Sequence, residues 1–345
     1  MSEEHHKPKK LFYVVLSLVF MVIFFVSVLG NLVLGGLLII MSANAKQQPA
    51  QAATYEKKLL AGDGDQDILV IHLKGVITND KLLTDGWITP EDVESRLKQA
   101  GKDPHIKAVL LNINSPGGAI TATDKMYRAI MSYKEKYKKP VVAYFDSIAA
   151  SGGYYLASAC DMIVCYPTCI TGSIGVIMSS FQLQDLFENK LGIKHVVIKS
   201  GKHKDIMSSS RQMTAEEQKI LQDMIDEMYE RFLEVVTTGR QALKNLKPEE
   251  LREIADGKIY TGKQALAKGL VDKIGTWEDA IQETCKLGQI GKDDYRLVVY
   301  QQNKTLIQEL LALTSEESES KQKLLQNLSE KFITPSFYYL WTAEN

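Results

Sequence analysis

The sequence has little histidine, little cysteine and no dominant charge. Six histidines and four cysteines are spread over 345 residues, and 41 Lys and Arg stand against 42 Asp and Glu, a formal net charge of −1. With neither sign in excess there is no case for nucleic acid or acidic substrates as partners. The cysteines are too few for a disulfide framework. Cys160, Cys165 and Cys169 lie close together but match no usual zinc spacing, and no histidine joins them. They read as small buried core residues, and neither a metal nor an organic cofactor is expected. No internal repeat is visible.

What the chain does have is a long uncharged stretch, "LFYVVLSLVFMVIFFVSVLGNLVLGGLLIIM", from Leu11 to Met41. As a helix it would reach roughly 46 Å, against a hydrocarbon core of about 30 Å. Lys7, Lys9 and Lys10 precede it and only Lys46 follows closely. The positive-inside rule then puts the N-terminus in the cytoplasm and the rest outside, a single-pass plasma-membrane protein. Ala43 and Ala45 form an A-x-A pattern of the kind signal peptidase cuts. Cleavable apolar regions run about 7–15 residues, however, so an uncleaved anchor is expected. The organisation expected is residues 1–10 cytoplasmic, 11–41 spanning, 42–62 linker, 63–302 catalytic domain and 303–345 C-terminal extension.

After the polar "AKQQPAQAAT" linker, strand-like and helix-like segments alternate. "DILVIHLKGVI" (67–77), "IKAVLLNIN" (106–114) and "PVVAYFDS" (140–147) read as strands, while "EDVESRLKQAG" (91–101) and "AITATDKMYRAIMSYKEKY" (119–137) read as helices. A short helix from Ser151, a strand "DMIVCYP", a helix "LQDLFENKLG" and a strand "HVVIKSG" continue the alternation. This is the pattern of an α/β fold with a largely parallel sheet. A long amphipathic helix over 214–241 opens on Thr214 and Glu217, a capping box. The end of the chain carries an aromatic tail, "FITPSFYYLWTAEN". Left exposed, that patch would be a liability, so it either packs on the domain surface or lies in or near an active-site groove.

Loops that follow strands of a parallel sheet share one edge, where sites form. "NSPGG" (114–118) and "AASGG" (149–153) both follow strands, and the second puts Ser151 before a glycine pair. Alone, such a serine is more often a helix cap than a nucleophile. To attack a carbonyl it needs a base and donors for the oxyanion. Histidine offers little: His72 sits inside a strand and His105 and His195 open strands, which leaves only His203. Lysine is the other choice. "GKHKD" holds Lys204 beside Asp205, just past a strand-like run. A free lysine, with pKa about 10.4, is neutral in only about one in 10³ molecules at pH 7. Burial lowers that value, so a lysine in an apolar groove can serve as the base.

Together "AASGGYYLASA", "TGSIGVI", "SPGG", "GKHKD" and "YTGKQALAKGLVD" resemble the signal peptide peptidase A family, membrane-anchored bacterial proteases with a Ser/Lys dyad. The resemblance runs from about Asp67 to about Gly275. It implies a ClpP/crotonase-like α/β fold preceded by one transmembrane helix, with Ser151 as nucleophile and Lys204 as general base. Ser173 in "TGSIG" would orient the lysine, and the backbone N–H groups of Gly118 and Gly152 would form the oxyanion hole. Spacing before the lysine leaves Lys202 as a rival. The implied protein is an endopeptidase in a homo-oligomeric ring that degrades apolar peptides such as remnant signal peptides. Two rivals are an inactive scaffold of the same fold and a crotonase-like acyl-CoA enzyme. The complete Ser/Lys/Ser set argues against the first, and the outward topology against the second.

Overall fold

The computed structural model describes residues 13–14, 16–31, 55–79, 87–302 and 337–340. The chain separates into two units, Met1–Thr54 and Tyr55–Asn345. In the first unit residues 16–31 are helical. Among the described residues no helix is long and apolar enough to cross a membrane. This corrects the expected transmembrane helix over 11–41. The described helical residues are 13–14 and 16–31, and the longest described run, sixteen residues, is about 24 Å at the usual rise, against the roughly 30 Å that a span requires. The membrane as a partner, the plasma-membrane location and the outward topology all rested on that helix and fall with it. Lys7, Lys9, Lys10, Lys46 and the Ala43–Ala45 pattern lie outside the described residues, as do the 80–86 and 303–336 segments.

The second unit is α/β. Its strands are β1 (Tyr55–Ala61), β2 (Gln66–Lys74), β3 (Val76–Ile77), β4 (Trp87–Ile88), β5 (Ile106–Ser115), β6 (Gly117–Ala119), β7 (Val141–Ala150), β8 (Met162–Cys165), β9 (Ile170–Gly172), β10 (Ile177–Met178), β11 (Ile259–Thr261), β12 (Lys273–Ile274), β13 (Tyr295–Gln302) and β14 (Phe337–Leu340). Its helices are α1 (Pro90–Lys102), α2 (Ile120–Tyr137), α3 (Gly152–Ala157), α4 (Ala215–Gly239), α5 (Pro248–Ile254), α6 (Gly262–Ala267) and α7 (Trp277–Leu287).

The larger sheet runs β1-β13-β2-β5-β7-β8-β12, with β9 beside the end of β7 and β11 on β9. Pairings from β13 through β12 are parallel, as is β7 with β9, while β1–β13 and β9–β11 are antiparallel. Such a sheet is covered on both faces, so its central strands are continuously apolar rather than alternating. Ile68, Val70, Leu110, Val142 and Val164 pack on Ala280, Ile281 and Cys285 of α7. Their neighbours Leu69, Ile71, Val109, Leu111 and Phe145 are equally buried and point to the opposite face. Truncating one of these to Ala costs about 2–5 kcal/mol. The smaller sheet runs β10-β14-β6-β3-β4.

Local signals explain the helix starts. Thr89 caps α1, whose first residue is Pro90, and Thr214 and Glu217 close the capping box of α4. The "LQDLFENKLG" helix is short and ends in a π-turn at Leu186–Lys190. "HVVIKSG" is not a strand. Among the described residues no strand pairs with it, and Val196 and Ile198 are 81% and 99% exposed. A strand needs a partner for its backbone groups, and alternation alone does not supply one.

Candidate active site

Ser151 stands where β7 ends and α3 begins, at φ 51 and ψ −116. Positive φ on a serine costs of order 1–3 kcal/mol and persists only where the surroundings impose it. Here they do. Ala149 is paired with Ser115 of β5 and Ala150 with Gly172 of β9. The Ser151 N–H donates to the Gly172 carbonyl at 2.8 Å, and the Ser151 carbonyl accepts from Tyr155 N–H at 2.9 Å. Gly153 lies so close to β5 that a Cβ there would sit 2.8 Å from the Ser115 carbonyl oxygen. The residue is 1% exposed.

The short helix that follows is fixed by its two tyrosines. Tyr154 is fully buried, stacks edge-on against Phe145 at 6.3 Å, and donates to the Leu270 carbonyl at 2.8 Å. Tyr155 donates to Asp124 at 2.6 Å and packs on Tyr127 and Phe232, with centroids 5.4 and 5.0 Å away. Burial alone would raise the Asp124 carboxyl, but hydrogen bonds from Tyr155, Arg128 and Arg231 outweigh it and hold the pKa below its ordinary value.

Three further expected residues share this edge. Ser173 follows Gly172, so it lies one residue past a paired position just as Ser151 does. It too has positive φ, 50°, is 8% exposed, and donates its N–H to the Lys258 carbonyl at 2.8 Å. Gly118 is in β6, pressed against β3. A Cβ at Gly118 would stand 2.0 Å from the Ile77 carbonyl oxygen, so no other residue fits without moving the backbone. Gly152, as the first residue of α3, has an N–H with no intrahelical partner. The chain's own tail comes to the same place. β14 runs antiparallel to β6, with Tyr338, Tyr339 and Leu340 opposite Ala119, Gly118 and Gly117, and its other edge pairs with β10.

Lys204 is placed differently. It lies exposed in a turn, its N–H donating to the Gly201 carbonyl at 3.2 Å, and among the described residues no hydrogen bond joins it to Ser151 or Ser173. The turn is fastened to the start of α4. Arg211 Nε and Nη2 donate to the two carboxylate oxygens of Asp205 at 2.9 and 2.8 Å, and Nη1 and Nη2 donate to Glu217 at 2.8 and 2.6 Å. Lys199 adds a contact to Asp205 at 2.6 Å. Hydrogen bonds from Arg211 and then Lys199 hold the Asp205 carboxyl well below the carboxylate range, and Arg211 with the Thr214 backbone lowers Glu217 to about 2. Lys202 pairs with Glu216, as does His203 Nε2 at 3.2 Å. The pairing of Asp205 with Arg211 is barely legible in the sequence. The only signal was an arginine six residues on, at a spacing with no periodicity of its own.

The remaining motifs are structural. Cys160, Cys165 and Cys169 are buried free thiols. Burial pushes Cys160 up to about 12, and a hydrogen bond with Cys165, then burial, raises Cys169. Asp272 in "GLVD" pairs with Arg240 and accepts from the Ile163 N–H at 2.7 Å, tying the helix end to β8.

A strained serine at the carboxyl end of a parallel strand, near a glycine-containing strand that pairs with an extended segment, is an arrangement on an α/β fold that suits serine hydrolase chemistry. Residues 133–291 match peptidase family S49, a stretch that holds Ser151, Ser173 and Lys204. A Synechocystis sp. protein described as a candidate protease is 44% identical over 59% of this chain and 71% of its own length. A candidate protease of Methanocaldococcus jannaschii is 38% identical over 70% of this chain and 78% of that one. An Enterococcus faecium protein described as a candidate signal peptide peptidase is 36% identical over 67% of this chain and 66% of its own. The chain belongs to peptidase family S49, the signal peptide peptidase A family, and is a serine peptidase.

Proposed function

We propose that the chain hydrolyses extended apolar peptides, which bind as an added strand on β6, with Ser151 as the nucleophile. The observation that carries this reading is β14, an extended Phe-Tyr-Tyr-Leu segment seated antiparallel on Gly117–Ala119 with Tyr339 opposite Gly118. Strand addition of this kind gives affinity through main-chain hydrogen bonds and leaves side chains to alternate pockets. A substrate held in the same register presents its carbonyl to the N–H groups of Gly118 and Gly152, which stabilise the oxyanion.

In this reading Lys204 takes the Ser151 hydroxyl proton as the oxygen attacks the carbonyl carbon, and returns it to the leaving amine. Water then hydrolyses the acyl-enzyme with the same amine as base. Ser173, one residue beyond the Gly172 that pairs with Ala150, would hold the amine toward Ser151. Proton transfer requires the amine within about 3 Å of the hydroxyl. The exposed Lys204 turn therefore closes on the site when peptide is bound, a step of the kind that gates many enzymes.

The test is incubation with a synthetic peptide of apolar, strand-forming residues, read by mass spectrometry. Wild-type protein cuts it and Ser151→Ala does not. Equal cutting by both, or by neither under any tested pH, overturns the reading.

A further inference from the structure

We propose that Arg211 is a positioning residue for Lys204, keeping the Asp205 carboxylate turned away from the lysine amine so that the amine can lose its proton. The proposal rests on Lys204 being the general base. A lysine beside an aspartate is an unpromising base, because an opposite charge within about 4–6 Å favours the charged form. In this structure both oxygens of Asp205 are already taken. Oδ2 accepts from Arg211 Nε at 2.9 Å, and Oδ1 accepts from Arg211 Nη2 at 2.8 Å and Lys199 Nζ at 2.6 Å. Arg211 Nη2 also donates to the Asp205 carbonyl at 3.2 Å, so backbone and side chain are held together. Only a planar fork makes these contacts and still reaches a second carboxylate.

That second carboxylate sets the clamp in the fold. Glu217 is 2% exposed and is the third residue of α4, its side chain also accepting the Thr214 N–H at 3.0 Å. The other end of α4 is tied to the nucleophile's helix, through Phe232 on Tyr155 and through Arg231, which shares Asp124 with Tyr155. The charged groups facing the turn are Lys199, Lys202, His203 and Asp205 along it, Arg211 after it, and Glu216 and Glu217 from α4. Both glutamates are occupied, Glu216 by Lys202 and His203 and Glu217 by Arg211. Among the described residues Lys204 is left out of every ion pair while each neighbouring carboxylate has another cation.

The experiment is a pH–rate profile for peptide cleavage, with folding checked by circular dichroism melting. Arg211→Gln frees Asp205 to pair with Lys204. The ascending limb then moves up by about one pH unit, a tenfold loss of kcat on that limb, with KM within twofold. Adding Asp205→Asn to Arg211→Gln removes the freed carboxylate and returns the limb to its wild-type place, a rescue that a purely structural role does not give. If Arg211→Gln fails to fold because Glu217 is left buried and unpaired, the same comparison is made with Glu217→Gln in all variants. An unmoved limb, or a double variant no better than Arg211→Gln, overturns the proposal. Lys204→Ala separates the two levels. Activity retained there means the base assignment is wrong, whereas its loss alongside unmoved Arg211 profiles means that only this inference is.

Discussion

Ser151 is held by the sheet, by a glycine contact and by two buried tyrosines. Lys204, fifty-three positions later by number, is held by one arginine between two carboxylates at the surface. The first segment gets its geometry from burial and backbone pairing, which are insensitive to salt and pH. The second gets it from charge, which is sensitive to both. A nucleophile on a strained backbone has to be over-determined, since any slack lets the strain relax. A base that must approach only when substrate is present is better carried on a segment whose stability is local and modest.

The largest break of this comparison is at its two ends. Ser151→Ala and Lys204→Ala each lower kcat by at least about 10³-fold, and the double variant is no worse, since groups acting as one unit do not add. Lys204→Ala leaves the melting temperature unchanged because the side chain is exposed. Additive losses, measured by single-turnover kinetics, separate the two residues into independent roles. Lys202→Ala keeps most activity. An inactive Lys202 variant beside an active Lys204 variant moves the base by one turn of the chain.

Next is Gly118→Ala, which drives a Cβ into the Ile77 carbonyl oxygen, 2.0 Å away. The strand has to shift, so the expected loss in kcat is about 10²-fold, the scale of a missing oxyanion donor. Thermal melting shows destabilisation as well. A lowered melting point with normal kcat places the oxyanion donors elsewhere.

A smaller effect separates the two segments by pH. Asp205 and Glu217 have folded values depressed by Arg211, so their contribution is fully present above the ordinary carboxylate range and is lost as pH falls through the folded values. Between pH about 4.5 and 2, hydrogen exchange in residues 199–211 rises while that in 149–158 does not. Parallel loss in both segments means that the clamp has no local stability of its own. The smallest expected effect is that of shortening the chain before Phe337. A tethered segment competes at roughly millimolar effective concentration. Its removal lowers the apparent KM for an added peptide by about twofold, with kcat unchanged, and a raised KM means that the tail assists binding.

The sequence was most informative where local chemistry decides structure. Strands over 67–77, 106–114 and 140–147 lie close to β2, β5 and β7 because buried parallel strands are continuous apolar runs. The α4 start was legible in Thr214 and Glu217, whose reciprocal hydrogen bonds need no distant partner. Pairing across long separations was not. β1 lies within the segment expected as linker, 42–62, and it is a strand only because β13 lies 236 or more positions away in register with it. "HVVIKSG" fails for the opposite reason, having the pattern and no partner. The apolar run at 11–41 raised an expectation from composition that no helix among the described residues meets.

The smaller sheet has one further consequence. Among the described residues β10, four positions downstream of Ser173, joins it through β14 alone. Whatever occupies the β14 place is therefore also the scaffold on which β10 is ordered. Occupancy of the groove and order in the segment after Ser173 are thermodynamically linked, and each strengthens the other by the same factor. If peptide binds on β6 as proposed, its entry finishes a wall of the site and the departure of product takes that wall away.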